Sequence, residues 1–206
     1  MRALSAREVL RQKKKTFALE GAWHEAFGTP ERCGVWFVWG NSGNGKSSFV
    51  MQLCRELCRF DGVLYNSLEE ADSLTMQESL RRHGMAEMGS RFHLLAGERM
   101  DELKVRLLKR RSPNIIVVDS LQYTQMSYRD YIGLKEAFRE KLFIFISHAS
   151  GKLPSGNAAV KVMYDASLKI WVEGYKAFSK GRFIGSKGVL TVWQEGAERY
   201  WGAGGE

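Results

Sequence analysis

The chain has 206 residues, 44% of them hydrophobic and 3 of them proline, which suits one well-filled core and excludes a low-complexity chain. No apolar run reaches the ~18–20 residues of a membrane span, and the opening "MRALSAREVLRQKKK" lacks the apolar stretch of a secretion signal, so no membrane association and a cytoplasmic location are expected. A net charge of +8 directs attention to polyanionic partners, nucleic acid first.

Residues 5–15 read as a basic helix, with Ser5 as its cap and Glu8 three residues later at capping-box spacing. This segment is expected to form an N-terminal helix and linker over 1–19, ahead of one domain over 20–206. "VWFVW" (35–39), bounded by Gly34 and Gly40, is a short apolar run that predicts a buried strand. Residues 46–59 carry Phe49, Val50, Leu53, Leu57 and Cys58 at helical spacing.

The pattern then repeats. Strands are predicted over 62–70, 91–97, 114–120 and 142–148, with helices over 72–84, 98–111 and 130–141. Strands that are apolar on both faces and alternate with helices predict an α/β fold, a mostly parallel central sheet flanked by helices. The tail reads differently: "ASLKIWV" (166–172) and "GVLTVWQ" (188–194) predict an antiparallel hairpin that extends the sheet, with "GYKAFSKGRFIGSKG" as the turn. Cys33, Cys54 and Cys58 form an odd set that no further Cys or nearby His completes as a zinc site, so they read as reduced thiols.

Between the first strand and the helix after it lies "GNSGNGKSS", Gly40, Asn41, Ser42, Gly43, Asn44, Gly45, Lys46, Ser47 and Ser48. The spacing is that of a phosphate-binding loop. Glycines let successive backbone N–H groups turn toward phosphate oxygens, and the helix N-terminus adds its dipole. At average residue usage this spacing arises by chance in such a chain on the order of 1% of the time. Lys46 is expected to reach the β- and γ-phosphates of ATP, and the Ser47 hydroxyl to bind Mg²⁺.

Asp119 follows "IIVV" at the C-terminal end of a predicted strand, the edge where parallel sheets present ligands, and is expected to assist Ser47 with the metal. Hydrolysis also needs a group that orients the attacking water. Ser120 follows Asp119, so that carboxylate must come from elsewhere: Glu69 is the candidate and Glu70 the reserve, both at the end of "VLYNSLEE".

"GNSGNGKSS", "VLYNSLEE", "NIIVVDSLQ" and "IFISHASGK" together resemble the RecA superfamily of P-loop ATPases, on the side of RadA/Sms and DnaB-type helicase cores, over roughly residues 20–201. The resemblance implies a RecA-like P-loop NTPase and further roles. His148 would sense the γ-phosphate from the end of the fifth strand. The loop "ASGKLPSGNAAVKV", with Lys152 and Lys161, would lie where the family contacts DNA. "FSKGRFIG" resembles the family's Lys-x-Arg-Phe pattern, with Gly181 in place of the usual Asn. It implies that Lys180 and Arg182 reach a neighbouring subunit's ATP, so that the protein forms a ring or filament.

The resulting expectation is a Mg²⁺-dependent ATP hydrolase that binds nucleic acid, single-stranded DNA first, in replication, recombination or repair, and works as a homo-oligomer with possible protein partners in such a complex. The alternative is a nucleotide-gated assembly or signalling switch. A small-molecule kinase would need an Arg-rich lid, and a GTPase the N-K-x-D stretch; neither is recognised in the chain.

Overall fold

A computed structural model describes residues 2–202. The helices are α1 (Ala6–Leu10), α2 (Gly21–Phe27), α3 (Lys46–Leu57), α4 (Leu74–Arg82), α5 (Met100–Leu107), α6 (Tyr128–Ala137), α7 (Asn157–Asp165) and α8 (Gln194–Trp201). The strands are β1 (Gly34–Gly40), β2 (Val63–Ser67), β3 (Phe92–Ala96), β4 (Ile115–Asp119), β5 (Leu142–Ser150), β6 (Leu153–Pro154), β7 (Leu168–Glu173), β8 (Lys176–Ser179) and β9 (Val189–Thr191). They form one sheet in the order β3-β2-β4-β5-β1-β7-β8-β9, with β6 attached to β5. From β3 to β7 every pairing is parallel; β7–β8 and β8–β9 are antiparallel.

The central strands are buried on both faces because each supplies apolar side chains to both. On one face Trp36, Val38, Ile115 and Val117 pack with Phe49 and Leu53 of α3. On the other, Val35, Phe37, Ile116 and Val118 pack with Leu103 of α5, Leu134 of α6 and Val162 of α7. Each fully buried side chain of this size contributes ~1.5–3 kcal/mol. Phe17 and Leu19, upstream of α2, also sit in the first of these clusters. Cys54 and Cys58 are buried free thiols, and Cys33 is a partly exposed one.

Several elements differ from the sequence reading. The capping box of Ser5 and Glu8 is present, but α1 ends at Leu10 instead of running to 15. It buries no side chain, and the consecutive Lys13, Lys14 and Lys15 add like charge where no packing offsets it. The segment read as a Gly/Ser loop after the fifth strand is largely ordered: β5 runs on to Ser150, β6 folds back on it, and α7 follows. Ala159, Val162 and Met163 give α7 its buried stripe, a helical period hidden behind Gly151, Ser155 and Gly156.

The tail hairpin forms, but its return strand is β8, inside the stretch read as turn. Ala177 and Ser179 are buried while Lys176 and Phe178 are less so, a period of two. The stretch read as the second strand shrinks to β9 and is followed by α8.

Candidate nucleotide site

Parallel pairing brings the C-terminal ends of β1, β2, β4 and β5 to one edge. Gly40 of β1 pairs with His148 of β5, and Ser67 of β2 with Asp119 of β4. The loop from Gly40 to Ser48 therefore leaves β1 beside His148 and enters α3 at Lys46. A Cβ on Gly40 would lie 2.3 Å from the Val172 carbonyl oxygen of β7, so only glycine fits there. Gly45 caps α3 in the left-handed region, φ 88°, and a Cβ there would meet the Tyr175 ring at 2.8 Å.

Neighbouring turns hold the loop. The Asn44 carbonyl accepts from the Tyr175 N–H at 3.1 Å, and its side-chain oxygen accepts from the Gly174 N–H at 2.9 Å. The Asn41 side chain donates to the Gly151 carbonyl at 3.2 Å, and the Trp39 indole to that of Lys152 at 3.1 Å. The β7–β8 and β5–β6 turns thus brace both sides of the loop.

Asp119 ends β4 at this edge. Burial pushes its pKa above the ordinary 3.8, and the charges of Glu69 and Glu70 push the same way. The Tyr65 hydroxyl, which donates to Asp119 Oδ2, and the Lys46 ammonium oppose that rise. Burial also holds the Tyr65 hydroxyl well above its usual pKa, so it remains a donor at neutral pH. The Asp119 carbonyl accepts from the Leu68 and Glu69 N–H groups at 2.6 and 3.2 Å, which fixes the start of the Glu69–Glu70 turn against β4.

The two glutamates part company there. Glu69 Oε2 lies 3.0 Å from His148 Nε2. Glu70 accepts from the Thr75 hydroxyl at 2.8 Å and lines a 210 Å³ cavity together with Ser47, Ser48, Tyr65 and Asp119. Gln122, just past β4, was not singled out in the sequence. Its amide donates to Ser147 Oγ at 2.8 Å and to the Ser155 carbonyl at 2.9 Å, and its oxygen accepts from the His148 N–H at 3.3 Å. The "DSLQ" motif could have identified it: two residues beyond Ser120 puts its side chain within reach of the neighbouring strand.

Lys180 and Arg182 lie at the other edge. Their N–H groups donate to the Lys169 and Ser167 carbonyls around the start of β7, whereas the loop touches the β7–β8 turn at the far end. About 20 Å of strand, at ~3.3 Å per residue, separates them from it. Neither side chain spans that distance, so within one protomer the pair is apart from Lys46, Glu69, His148 and Asp119. Lys161 lies on α7, with its ammonium 5.8 Å from the Tyr128 ring, whereas Lys152 is exposed in the β5–β6 turn.

No protein-family profile matches the chain. A DNA repair protein RadA from Streptococcus pneumoniae is 31% identical over 85 residues, 41% of this chain. The chain spans 19% of that protein's length. Among solved structures, the flagellar accessory protein FlaH from Methanocaldococcus jannaschii aligns with a TM-score of 0.60 at 15% identity, over 85% of this chain and 91% of that one. The KaiC-like protein PH0186 from Pyrococcus horikoshii aligns at 0.59 and 14%, over 86% and 98%. The ATPase domain of G40P aligns at 0.53 and 15%, over 78% and 81%.

Proposed function

We propose that this chain, whose core is a RecA-like P-loop ATPase fold, is an ATP-hydrolysing homo-oligomer that acts on DNA in replication, recombination or repair. The observation that carries the reading is the convergence of a braced phosphate loop, a half-buried carboxylate and a histidine–glutamate pair on one sheet edge. The local likeness to a DNA repair protein and the +8 charge support the DNA assignment.

The backbone from Asn41 to Ser47 would cradle the phosphates, with Lys46 on the β- and γ-phosphates. The residues fit a nucleotide-bound magnesium ion: one hydroxyl at Ser47 and one carboxylate at Asp119 leave the other positions to phosphate and water. Among the described residues no cluster of three His, Cys, Asp or Glu side chains competes for it. Mg²⁺ held there would neutralise charge developing on the phosphate oxygens. Glu69 would orient and deprotonate the attacking water, and His148, in contact with it, would register the terminal phosphate. Gln122 would carry that change to Ser155, before α7.

The separation of Lys180 and Arg182 from the loop supports their contacting the nucleotide of a second copy. A planar guanidinium suits that task because it grips phosphate oxygens bidentately.

The test pairs ATPase rate, with and without single-stranded DNA, with a sizing column run with a non-hydrolysable ATP analogue. A tenfold or greater stimulation and a shift to higher mass are expected. Hydrolysis indifferent to DNA would favour the second reading, a nucleotide-gated assembly switch. That reading draws on the fold likeness to a flagellar accessory protein and a KaiC-like protein.

A further inference from the structure

The parallel part of the sheet is covered by helices on both faces; the antiparallel extension is not. In β7, Leu168, Ile170 and Val172 point into the core, and Lys169, Trp171 and Glu173 point the other way. On that second side Trp171, Phe178 of β8 and Trp201 of α8 form a continuous aromatic row, with ring centres 5.6 and 6.0 Å apart. The row floors an open concavity of about 1260 Å³. Four lysines line it, Lys152, Lys176, Lys180 and Lys187, against two carboxylates, Glu173 and Glu198.

Both carboxylates already have partners: the Tyr200 hydroxyl donates to Glu173 at 3.4 Å, and the Gln194 amide to Glu198 at 2.6 Å. The cations lie against the rings, Lys180 5.4 Å from the centre of Trp171 and Lys176 6.0 Å from that of Trp201. Lys187 also pairs with Glu25 at 2.9 Å.

We infer that this face is a platform for single-stranded nucleic acid, a second binding surface beyond the loop after β5. Aromatic rings on a sheet surface, edged by lysines, match the two chemistries an unpaired strand presents, π-faces and phosphates. A duplex hides its base faces and would use only the lysines. A basic peptide would meet the wrong charge, and an acidic one would satisfy the lysines but offer no π-faces to the rings. Lys152 makes the face continuous with the β5–β6 turn, so a strand held at that turn passes directly onto the rings. Lys180 also borders the face; its phosphate role lies with the second copy, and Lys152 and Lys187 supply the backbone contacts. The inference deepens the DNA reading above and rests on it.

The experiment measures binding of fluorescent oligo(dT) and oligo(rU) by anisotropy to the full chain with an ATP analogue, for wild type and the double variant F178A/W201A. Melting temperature and ATP affinity check that the variant is folded. A loss of at least about tenfold in oligonucleotide affinity is expected, shared by both sugars because stacking ignores the 2′-hydroxyl. Unchanged affinity in a folded variant overturns the platform and leaves the DNA reading standing. Wild type that binds neither oligonucleotide overturns the DNA reading itself. A change of oligomer mass with affinity preserved would assign the face to a second copy and also overturn the platform. Should the variant not fold, photo-cross-linking of bromouridine oligonucleotide to wild type decides: adducts on Trp171, Phe178 or Trp201 are expected, and adducts confined to other segments overturn the inference.

Discussion

The two halves of the sheet are built to different rules. From β3 to β1 the strands are parallel, and the central ones are apolar on both faces between two layers of helix. The β7–β8–β9 end has its antiparallel pairs, and its strands alternate buried with less buried residues. The first design fixes groups at an edge, because the central strands leading to it are packed on both faces. The second leaves a face free to meet another molecule. In this protein the candidate nucleotide site sits on the first half, and the aromatic, lysine-edged surface sits on the other.

That contrast can be broken experimentally. The largest effect is expected at the rigid edge: Lys46→Ala should abolish ATP binding, read by a fluorescent ATP analogue. Glu69→Gln should keep ATP binding but lower hydrolysis by about 10²–10⁴-fold. Glu70→Gln in the same assay should cost far less; the opposite order would move the water-orienting role to Glu70 and its cavity. Next comes packing. Phe145→Ala, fully buried in the parallel half, should cost about 3–5 kcal/mol in urea unfolding. Phe178→Ala, only partly buried on the open face, should cost well under half of that; equal losses would erase the distinction between the halves.

The smaller effects are electrostatic. Burial raises the pKa of Asp119, so the folded state holds its proton more tightly than the unfolded chain does. The resulting penalty is absent at pH values below the ordinary 3.8, sets in as the carboxylate ionises above it, and is complete at neutral pH. Asp119→Asn should therefore raise the melting temperature at pH 7, by roughly 2–4 °C for each kcal/mol relieved, while hydrolysis is lost. Tyr65→Phe removes a bond that favours the ionised carboxylate. The acidic limb of the pH–rate profile should then move to higher pH.

Much of this was legible in the residues. The loop Gly40–Ser48 is a local device, nine consecutive positions between a strand and a helix, so its spacing alone announces it. Asp119 was legible for the same reason, a lone carboxylate ending an apolar strand. The ends of elements were less so: α1 stops at Leu10 for want of anything to pack on, and α7 was masked by the glycines and serines before it. β8 was missed because "KAFS" alternates over only four residues inside a stretch rich in glycine.

The amino-acid order by itself determined the glycine-rich loop between β1 and α3, the alternation of strands with helices and the excess of positive charge, since each depends on near neighbours or on composition. Only the tertiary structure decided that His148 faces Glu69 across 79 residues, that Gln122 ties β4 to β5, and that Lys180 and Arg182 end at the edge away from the loop. Those meetings depend on which strands lie side by side and in which direction they run. That choice is made by burial summed over the whole sheet, a quantity that no short stretch of chain contains.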